Sequence, residues 1–372
     1  MELGQEDQTR LPGQPAGMTP AGSDSEGTAP VRDGLGFDEA ALARWMALHV
    51  EDYQGPLQVE QFKGGQSNPT YKLRTPKTDY VLRRKPPGEL LKGAHAVERE
   101  ARLLAALQPI GFPVARLYGL CTDETVIGTW FYVMAMVEGR IFWDATFTGV
   151  DRAQRPLYFN AMNETLARLH LVDYRALGLE DFGRPGNYFA RQIARWSQQY
   201  QGDSEAGRDP NMDLLINWLP ANIPPGDETA LLHGDFRCDN MIFHPREAKV
   251  LAVLDWELST LGHPLADFAY HAMMYRMPPH IVAGLAGADL VRLNIPSEAD
   301  YLAAYCRHTG RDAMPGYDFY VAFNFFRLAA IFHGIKGRVK RGTAASGQAI
   351  ERVKALPELA ALAWQQAQRA MA

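Results

Sequence analysis

The chain contains the stretch LHGDFRCDN at residues 232–240, and the spacing of its polar residues is the strongest indication of the fold. Asp235 stands five residues before Asn240, and the apolar run 250–254 that follows ends in Asp255. A short His-Gly-Asp loop by itself is also compatible with a simple turn in which the Asp side chain caps backbone amides. With Asn240 and a strand-borne Asp255 added, the pattern favours a catalytic loop and an adjoining hairpin that bring the three polar side chains together.

This spacing is typical of phosphoryl transfer from ATP. Asp235 is the predicted base that orients an acceptor hydroxyl, and Asn240 and Asp255 are predicted ligands of a metal ion. Glu257 would return to the face of Asp255 if the strand continued. Glu257 is therefore assigned to a second metal contact, and whether it makes that contact is left open. His233 is interpreted as a structural hydrogen-bonding residue.

The same residues carry a family resemblance. His233, Asp235 and Asn240, followed by Asp255-Trp256-Glu257, resemble the aminoglycoside phosphotransferase family, and choline and homoserine kinases are similar. The resemblance extends from residue 37 to about residue 345. Within the family the chain looks most like the kinase-like domains fused to some acyl-CoA dehydrogenases. Four segments carry this closer likeness: 64–68, 80–84, 191–196 and 326–331.

The resemblance implies an α+β fold with two lobes, as in protein kinases. It implies ATP and Mg²⁺ as cofactors and a small molecule as the phosphate acceptor.

Residues 1–36 contain 11 Gly and Pro and almost no large apolar side chain, so they are predicted to be a disordered tail. Residues 37–140 are predicted to form the nucleotide-binding N-lobe, and residues 141–372 a mostly helical C-lobe with the catalytic loop and the acceptor site.

Composition narrows the class of protein. Hydrophobic residues make up 47% and charged residues 22% of the chain, and the net charge of -5 does not indicate a nucleic-acid partner. The 3 cysteines are far apart in sequence and odd in number, which favours reduced thiols and a cytoplasmic location. No apolar run approaches the roughly 18 residues that a membrane span needs. The oligomeric state is left open.

Alternating patterns predict the elements of the N-lobe. Strands are expected at 57–62, 70–74, 80–84, 117–121 and 130–136, and a helix at about 94–107. Glu138-Gly139 is the expected hinge between the lobes. The turn between the first two strands contains Gly64, Gly65, Ser67 and Asn68, which are assigned to the phosphates of ATP. An ordinary hairpin turn is the alternative.

Further nucleotide-binding residues follow on the next elements. Val81 and Arg83 share one face of their strand, and Arg83 occupies the position at which kinases place a phosphate-binding Lys. Glu100 lies on the apolar side of the following helix, so it needs a partner, and Arg83 is the predicted one. Met136, just before the hinge, is assigned to the nucleotide site as well.

Asp267 is expected to cap a helix and to brace the catalytic loop. Few residues separate it from Asp255, which leaves little room for a phosphorylated activation loop. Gly234 also replaces the Arg that reads such a phosphate in protein kinases. Both features favour a small-molecule kinase over a protein kinase.

The acceptor is predicted from charge. From Tyr301 to the end there are 10 Lys and Arg against 4 Asp and Glu, with a basic cluster at Lys336, Arg338, Lys340 and Arg341. A pocket for polycationic aminoglycosides should be acidic, so the cluster favours an anionic acceptor such as a hydroxyacyl thioester of coenzyme A. A solvated helix face is the alternative for the cluster. An aminoglycoside kinase and a catalytically silent nucleotide-binding module are the alternatives for the protein.

Overall fold

An antiparallel sheet with six strands forms most of the first part of the chain. The computed structural model describes residues 27–63, 68–88, 95–343 and 347–372. Strand order in the sheet is β1-β2-β3-β4-β6-β5. The strands are β1 (Thr28–Ala29), β2 (Gln58–Phe62), β3 (Thr70–Arg74), β4 (Tyr80–Arg84), β5 (Leu117–Cys121) and β6 (Phe131–Ala135). β2 to β6 lie within one or two residues of their predicted positions.

Helices cover both faces of this sheet. α1 (Glu39–His49) begins at Asp38, whose Oδ1 accepts a hydrogen bond from Ala41 N at 2.9 Å. Its buried side chains pack on one face, against residues such as Leu82 and Val133. α2 (Val97–Leu107) packs on the other face through the apolar stripe that its sequence predicts. A short helix, α3 (Glu124–Ile127), joins β5 to β6.

The end of the expected N-terminal tail belongs to the sheet. Thr28 and Ala29 pair with Phe62 and Gln61, and the Leu35 carbonyl accepts hydrogen bonds from Tyr71 Oη and Arg84 Nη2 at 2.8 and 3.2 Å. The prediction that the tail runs to residue 36 is therefore wrong for the residues from Thr28 onward. Backbone groups make these contacts, so composition carried no signal for them.

The second part of the chain is mostly helical, as predicted. Its helices are α4 (Arg155–His170), α5 (Tyr188–Gly202), α6 (Pro210–Ala221), α7 (Pro264–Ala272), α8 (Leu290–Leu293), α9 (Glu298–Thr309), α10 (Tyr317–Lys340) and α11 (Gly347–Met371). Two small antiparallel sheets interrupt them. They pair β7 (Ala230–Leu232) with β10 (Thr260–Gly262) and β8 (Met241–Phe243) with β9 (Val250–Val253). Together the two parts make the bilobal α+β fold of protein kinases.

The connection between the lobes runs against the catalytic hairpin. Arg140 and Phe243 exchange two backbone hydrogen bonds of 2.8 Å. A Cβ atom on Gly139 would lie 2.3 Å from the Phe243 carbonyl oxygen, so this approach requires glycine. The expected hinge at Glu138-Gly139 thus lies where the first lobe meets β8. Among the described residues, no helix is both long and apolar enough to cross a membrane.

Candidate active site

The loop between β7 and β8 holds Asp235 in a fixed position. Asn240 Nδ2 donates to the Asp235 backbone oxygen at 2.9 Å and to its Oδ2 at 3.1 Å. Tyr270 Oη, on α7, donates to Asp235 Oδ1. The Asp235 side chain is still 25% exposed, so it remains open to a substrate. The loop therefore presents one oriented carboxylate, as its sequence predicts.

Asp267 braces this loop from below. Its carboxylate accepts hydrogen bonds from the backbone amides of His233 and Gly234 at 2.7 and 2.8 Å, and it lies 3.2 Å from His170 Nε2. Burial raises the pKa of Asp267, but the hydrogen bond and charge of His170 outweigh it and lower the pKa overall. The predicted bracing role is confirmed. The predicted helix cap is wrong, because His263 caps α7 through Leu265 N.

His233 is a structural residue. It is fully buried, and its Nε2 donates to the Leu254 carbonyl at 2.8 Å. Its Nδ1 then lacks a proton and accepts from Asp235 N at 3.2 Å. Both nitrogens are used in tying the catalytic loop to the end of the hairpin, as expected for a residue that is not the base.

Asp255 enters the site on strained backbone. β9 ends at Val253, and Asp255 has a φ of 60°, which is uncommon for a residue with a side chain. A 3₁₀ turn over Trp256–Leu258 follows at once. Glu257 therefore reaches the site through a turn, and the expectation of strand alternation is wrong. Its Oε2 still lies 3.6 Å from Arg83 Nη2, on the same side as Asp255.

Arg83 carries the link between the lobes. Its Nε lies 3.0 Å from Glu100 Oε2, and its Nη2 lies 2.8 Å from Asp255 Oδ1. Burial lowers the pKa of Arg83, but the negative charges next to it, above all that of Glu100, raise it above its usual value. The guanidinium is thus a permanent cation. The predicted Arg83–Glu100 ion pair is present in the structure.

Asn68 takes part in this network in an unexpected way. It is fully buried, and its Nδ2 donates to Glu100 Oε1 at 3.1 Å. Tyr132 Oη donates to Glu100 Oε2 at the same distance, 3.1 Å. The Asn68 side chain therefore faces Glu100 in the interior, and the assignment of Asn68 to the phosphates of ATP stays a prediction.

The remaining predicted nucleotide residues have different outcomes. Gly64, Gly65 and Ser67 lie outside the described residues. Val81 is buried opposite Met134 of β6, and Met136 follows the end of β6 in a half-buried position. Both lie near the hinge end of the sheet, and their assignment to the nucleotide site stays a prediction.

The oxygen donors suit a magnesium ion. Asn240 uses its amide nitrogen on Asp235, so its side-chain oxygen is left for a metal. Asp255 and Glu257 add carboxylates that are 38% and 28% exposed. Within the described ranges no group of three or more His, Cys, Asp or Glu forms a metal cluster. Mg²⁺ fits such a sparse set, since it is bound by one or two carboxylates together with substrate phosphates and water.

The last two residues of the basic cluster, Lys340 and Arg341, contact a segment away from this site. Lys340 Nζ donates to the Glu205 carbonyl at 2.7 Å, and Arg341 pairs with Asp203 at 2.9 Å. These contacts place the end of α10 against the segment after α5. Arg327, which reaches the catalytic loop, is about 20 Å away along the helix from Arg341 at 1.5 Å per residue. The prediction that this cluster rims the acceptor site loses its support.

Two site residues were missed in the sequence. Tyr270 holds the carboxylate of Asp235, and Arg327 Nη2 donates to the Gly234 carbonyl at 3.0 Å. Tyr270 stands three residues after Asp267 on α7, and helical periodicity puts it on the same face. That spacing was a usable signal. Arg327 had no such signal, because its contact joins segments that are far apart in the chain.

A bilobal kinase-like fold with an Asp-Asn catalytic loop and a carboxylate after the following hairpin defines a phosphotransferase. Residues 58–323 match the model of the phosphotransferase enzyme family. The chain belongs to that family. It is 43% identical over 340 residues to the mouse acyl-CoA dehydrogenase family member 10, covering 91% of this chain and 32% of the relative. It is 44% identical over 344 residues to the chicken family member 11, covering 90% and 44%. The chain spans less than half the length of these relatives.

Solved structures agree with this assignment. An aminoglycoside phosphotransferase-like protein from Ralstonia eutropha, known from a crystal structure, has 48% sequence identity to this chain and a TM-score of 0.84. The alignment covers 90% of this chain and 99% of the other. Choline kinase from Cryptosporidium parvum has a TM-score of 0.59 at 11% identity, covering 90% and 95%. The second likeness shows the fold alone.

Proposed function

We propose that the protein is an ATP- and magnesium-dependent kinase that phosphorylates a hydroxyl group of a small molecule. The proposal depends on two contacts in the site, between Asp235 and Asn240 and between Asp255 and Arg83. Asp235 and Asn240 come from the catalytic loop, and Asp255 follows the next hairpin, where Arg83 from the first lobe contacts it at 2.8 Å. A base, a metal-binding edge and a cation for phosphate are the parts that phosphoryl transfer needs.

Asp235 would orient the acceptor. One of its oxygens accepts from Tyr270 and the other from Asn240, which fixes the plane of the carboxylate. Each oxygen keeps a further lone pair, so Asp235 can accept the proton of an acceptor hydroxyl as its oxygen attacks phosphorus. The bracing by Asp267 keeps this geometry before the substrate arrives.

Arg83 and the oxygen donors would bind the nucleotide side. Glu100 anchors one end of the guanidinium, so its fork faces Asp255 and the space where phosphates would lie. Asn240, Asp255 and Glu257 would hold magnesium. The ion supplies charge neutralisation on the phosphate oxygens when bound. The silent-module alternative predicts the loss of a base or metal residue, and Asp235, Asn240 and Asp255 are all present.

The acceptor is proposed to be anionic, for example a hydroxyacyl-CoA. The support is that the relatives with 43% and 44% identity are named acyl-CoA dehydrogenase family members, of which this chain matches a part. An aminoglycoside acceptor is the second candidate, favoured by the Ralstonia eutropha relative at 48% identity. A cytoplasmic location stays a prediction.

An acceptor screen tests the proposal. Purified protein with Mg·ATP is offered hydroxyacyl-CoAs, free hydroxy acids and aminoglycosides, and ADP formation is measured alongside phosphorus NMR of the product. We expect a phosphate ester on a hydroxyacyl-CoA, and its formation at least about 100-fold slower with the Asp235→Asn variant. Phosphorylated aminoglycoside as the main product would favour the second candidate. Absence of Mg·ATP binding by calorimetry would reject a kinase altogether.

A further inference from the structure

Arginine side chains from two helices gather next to the catalytic loop. Arg327, on α10, donates to the Gly234 carbonyl at 3.0 Å, and its guanidinium lies 5.3 Å from the centre of the Tyr270 ring. Tyr270 in turn holds Asp235. Arg191 and Arg195, on α5, are one helical turn apart and share a face. α5 packs against α10, so Arg191 and Arg195 stand on the helix next to the one that carries Arg327.

These guanidinium groups lack acidic partners. Among the described residues, Arg191 donates to the Arg184 carbonyl and Arg327 to the Gly234 carbonyl, and the Arg195 guanidinium lies 5.1 Å from the centre of the Trp196 ring. None of these contacts is with a carboxylate. Burial lowers the pKa of Arg191, and the nearby charge of Arg184 lowers it further, while Asp227 opposes both. Other cations at the site, such as Arg83, are paired with carboxylates. Unpaired like charges held together are unfavourable unless an anion binds among them.

Tyr188 is a second, independent feature of the same region. The residue is only 7% exposed, but its hydroxyl is not among the fully buried polar atoms that lack a partner, so the oxygen reaches the surface of this region. Its ring edge fills the space over Gly262, where a Cβ would lie 2.4 Å away. The charges that act on its pKa are those of Arg327, Asp267, Arg191 and Arg195, after the effect of burial, which raises it. Arg191 and Arg195 follow Tyr188 by three and seven residues on α5, so the phenol shares a helix face with both arginines.

We propose that Tyr188, Arg191, Arg195 and Arg327 form a subsite that binds the anionic group of the acceptor. The inference rests on the proposed function for the role of the ligand, but the subsite is defined by its own contacts. Arginine forks and a phenol donor suit phosphate or carboxylate oxygens. The subsite lies beside Gly234 and Tyr270, next to Asp235, whereas Arg83 serves the opposite, nucleotide side. It also unites the segments 191–196 and 326–331, of which Arg327 has another contact with the catalytic loop.

Calorimetric binding to the whole protein, without turnover, tests the subsite. The probes are coenzyme A, which carries phosphates, 3-hydroxybutanoate, which carries a carboxylate, and pantetheine, which is neutral. The double variant Arg191→Gln/Arg195→Gln removes two charges and leaves the Arg327 contact with the loop intact. The control Arg44→Gln/Arg352→Gln removes the same charge from exposed positions on α1 and α11. Tyr188→Phe removes the hydroxyl alone and keeps the ring over Gly262.

We expect the wild-type protein and the control to bind an anionic probe more tightly than pantetheine, and less tightly as salt is added. The Arg191→Gln/Arg195→Gln variant should lose about tenfold or more in affinity, since two charge-assisted contacts disappear. Loss on coenzyme A identifies phosphate as the bound group, and loss on 3-hydroxybutanoate identifies carboxylate. Equal affinities for all probes, no binding of either anion, or equal losses in the control would overturn the subsite. Anion binding without any kinase activity would instead reject the proposed function and keep the subsite.

Discussion

Arg83 Nη2 and Asp255 Oδ1 lie 2.8 Å apart although 172 positions separate the two residues in the chain. The same guanidinium is tied to Glu100 at 3.0 Å. One buried cation thus connects the sheet, the helix packed on it and the hairpin of the second lobe. Asp255 is also the proposed metal ligand, so a bound Mg·ATP would contact a residue that joins the two lobes.

The first prediction concerns Asp235. Asp235→Asn should lower kcat by about 10²- to 10⁴-fold, because a positioned general base contributes that much. Mg·ATP affinity, measured by calorimetry, should stay close to that of the wild type. The control is Asp181→Asn at an exposed surface ion pair, which should keep full turnover. Undiminished kcat in Asp235→Asn with a verified acceptor would contradict the assignment.

The second prediction concerns the metal edge. Asp255→Ala should abolish measurable Mg·ATP binding, because the carboxylate would hold the ion on the phosphate oxygens. Calorimetric titration with Mg·ATP detects the loss, and a melting curve checks that the variant is folded. Glu257→Gln is the comparison and should weaken binding less. Wild-type affinity in Asp255→Ala would exclude it as the ligand.

The third prediction concerns the buried ion pair. Arg83→Met should lower the free energy of unfolding by about 3–5 kcal/mol, because it leaves Glu100 buried without its cation. The double variant Arg83→Met/Glu100→Gln should recover part of this loss, since no uncompensated charge remains. Urea unfolding monitored by tryptophan fluorescence measures both. Strictly additive losses would show that the two side chains are not coupled.

The fourth prediction concerns pH. His271 is buried, with Nδ1 donating to the Phe236 carbonyl and Nε2 accepting from Tyr301 Oη at 2.7 Å. Burial lowers its pKa from 6.5 to about 4. The unfolded chain therefore takes up a proton first, so folding stability should fall as pH drops below about 6.5 and level off below about 4, by about 3 kcal/mol.

The pH effect is isolated by comparison with His271→Asn, which keeps a donor near Phe236 but does not titrate. The variant should be less stable near neutral pH, because Tyr301 loses its acceptor. Its free energy of unfolding should depend less steeply on pH between 6.5 and 4 than that of the wild type. Parallel curves for the two proteins would rule out His271 as the source.

The fifth prediction concerns the hinge. Gly139→Ala places a Cβ 2.3 Å from the Phe243 carbonyl oxygen, so it should destabilise the protein by about 1–3 kcal/mol through forced backbone shifts. Gly202→Ala, with nothing within 4 Å of its added Cβ, is the matched control and should not destabilise. Thermal melting of both variants decides the matter. Equal melting temperatures for Gly139→Ala and Gly202→Ala would mean that the backbone at the hinge accommodates the added Cβ without loss of stability.

The sequence alone determined the fold class and the order of the elements. The strands from 58 to 135 and the helix holding Glu100 follow from local periodicity, which each segment carries within itself. The family motif likewise located Asp235, Asn240 and Asp255 by spacing along one short stretch. Alternation also put Val81 and Arg83 on one face, from which the pair with Glu100 could be foreseen.

Only the tertiary structure decided which side chains meet across distant segments. In the structure, the Asn68 side chain contacts Glu100, and Thr28 and Ala29 pair with the sheet. The end of α10 contacts the segment after α5 and not the catalytic loop. The tertiary structure also placed Arg327 against Gly234 and delivered Glu257 by a turn. The physical reason is that hydrogen bonds and ion pairs depend on the packing of whole elements, which leaves no periodic trace in the local sequence.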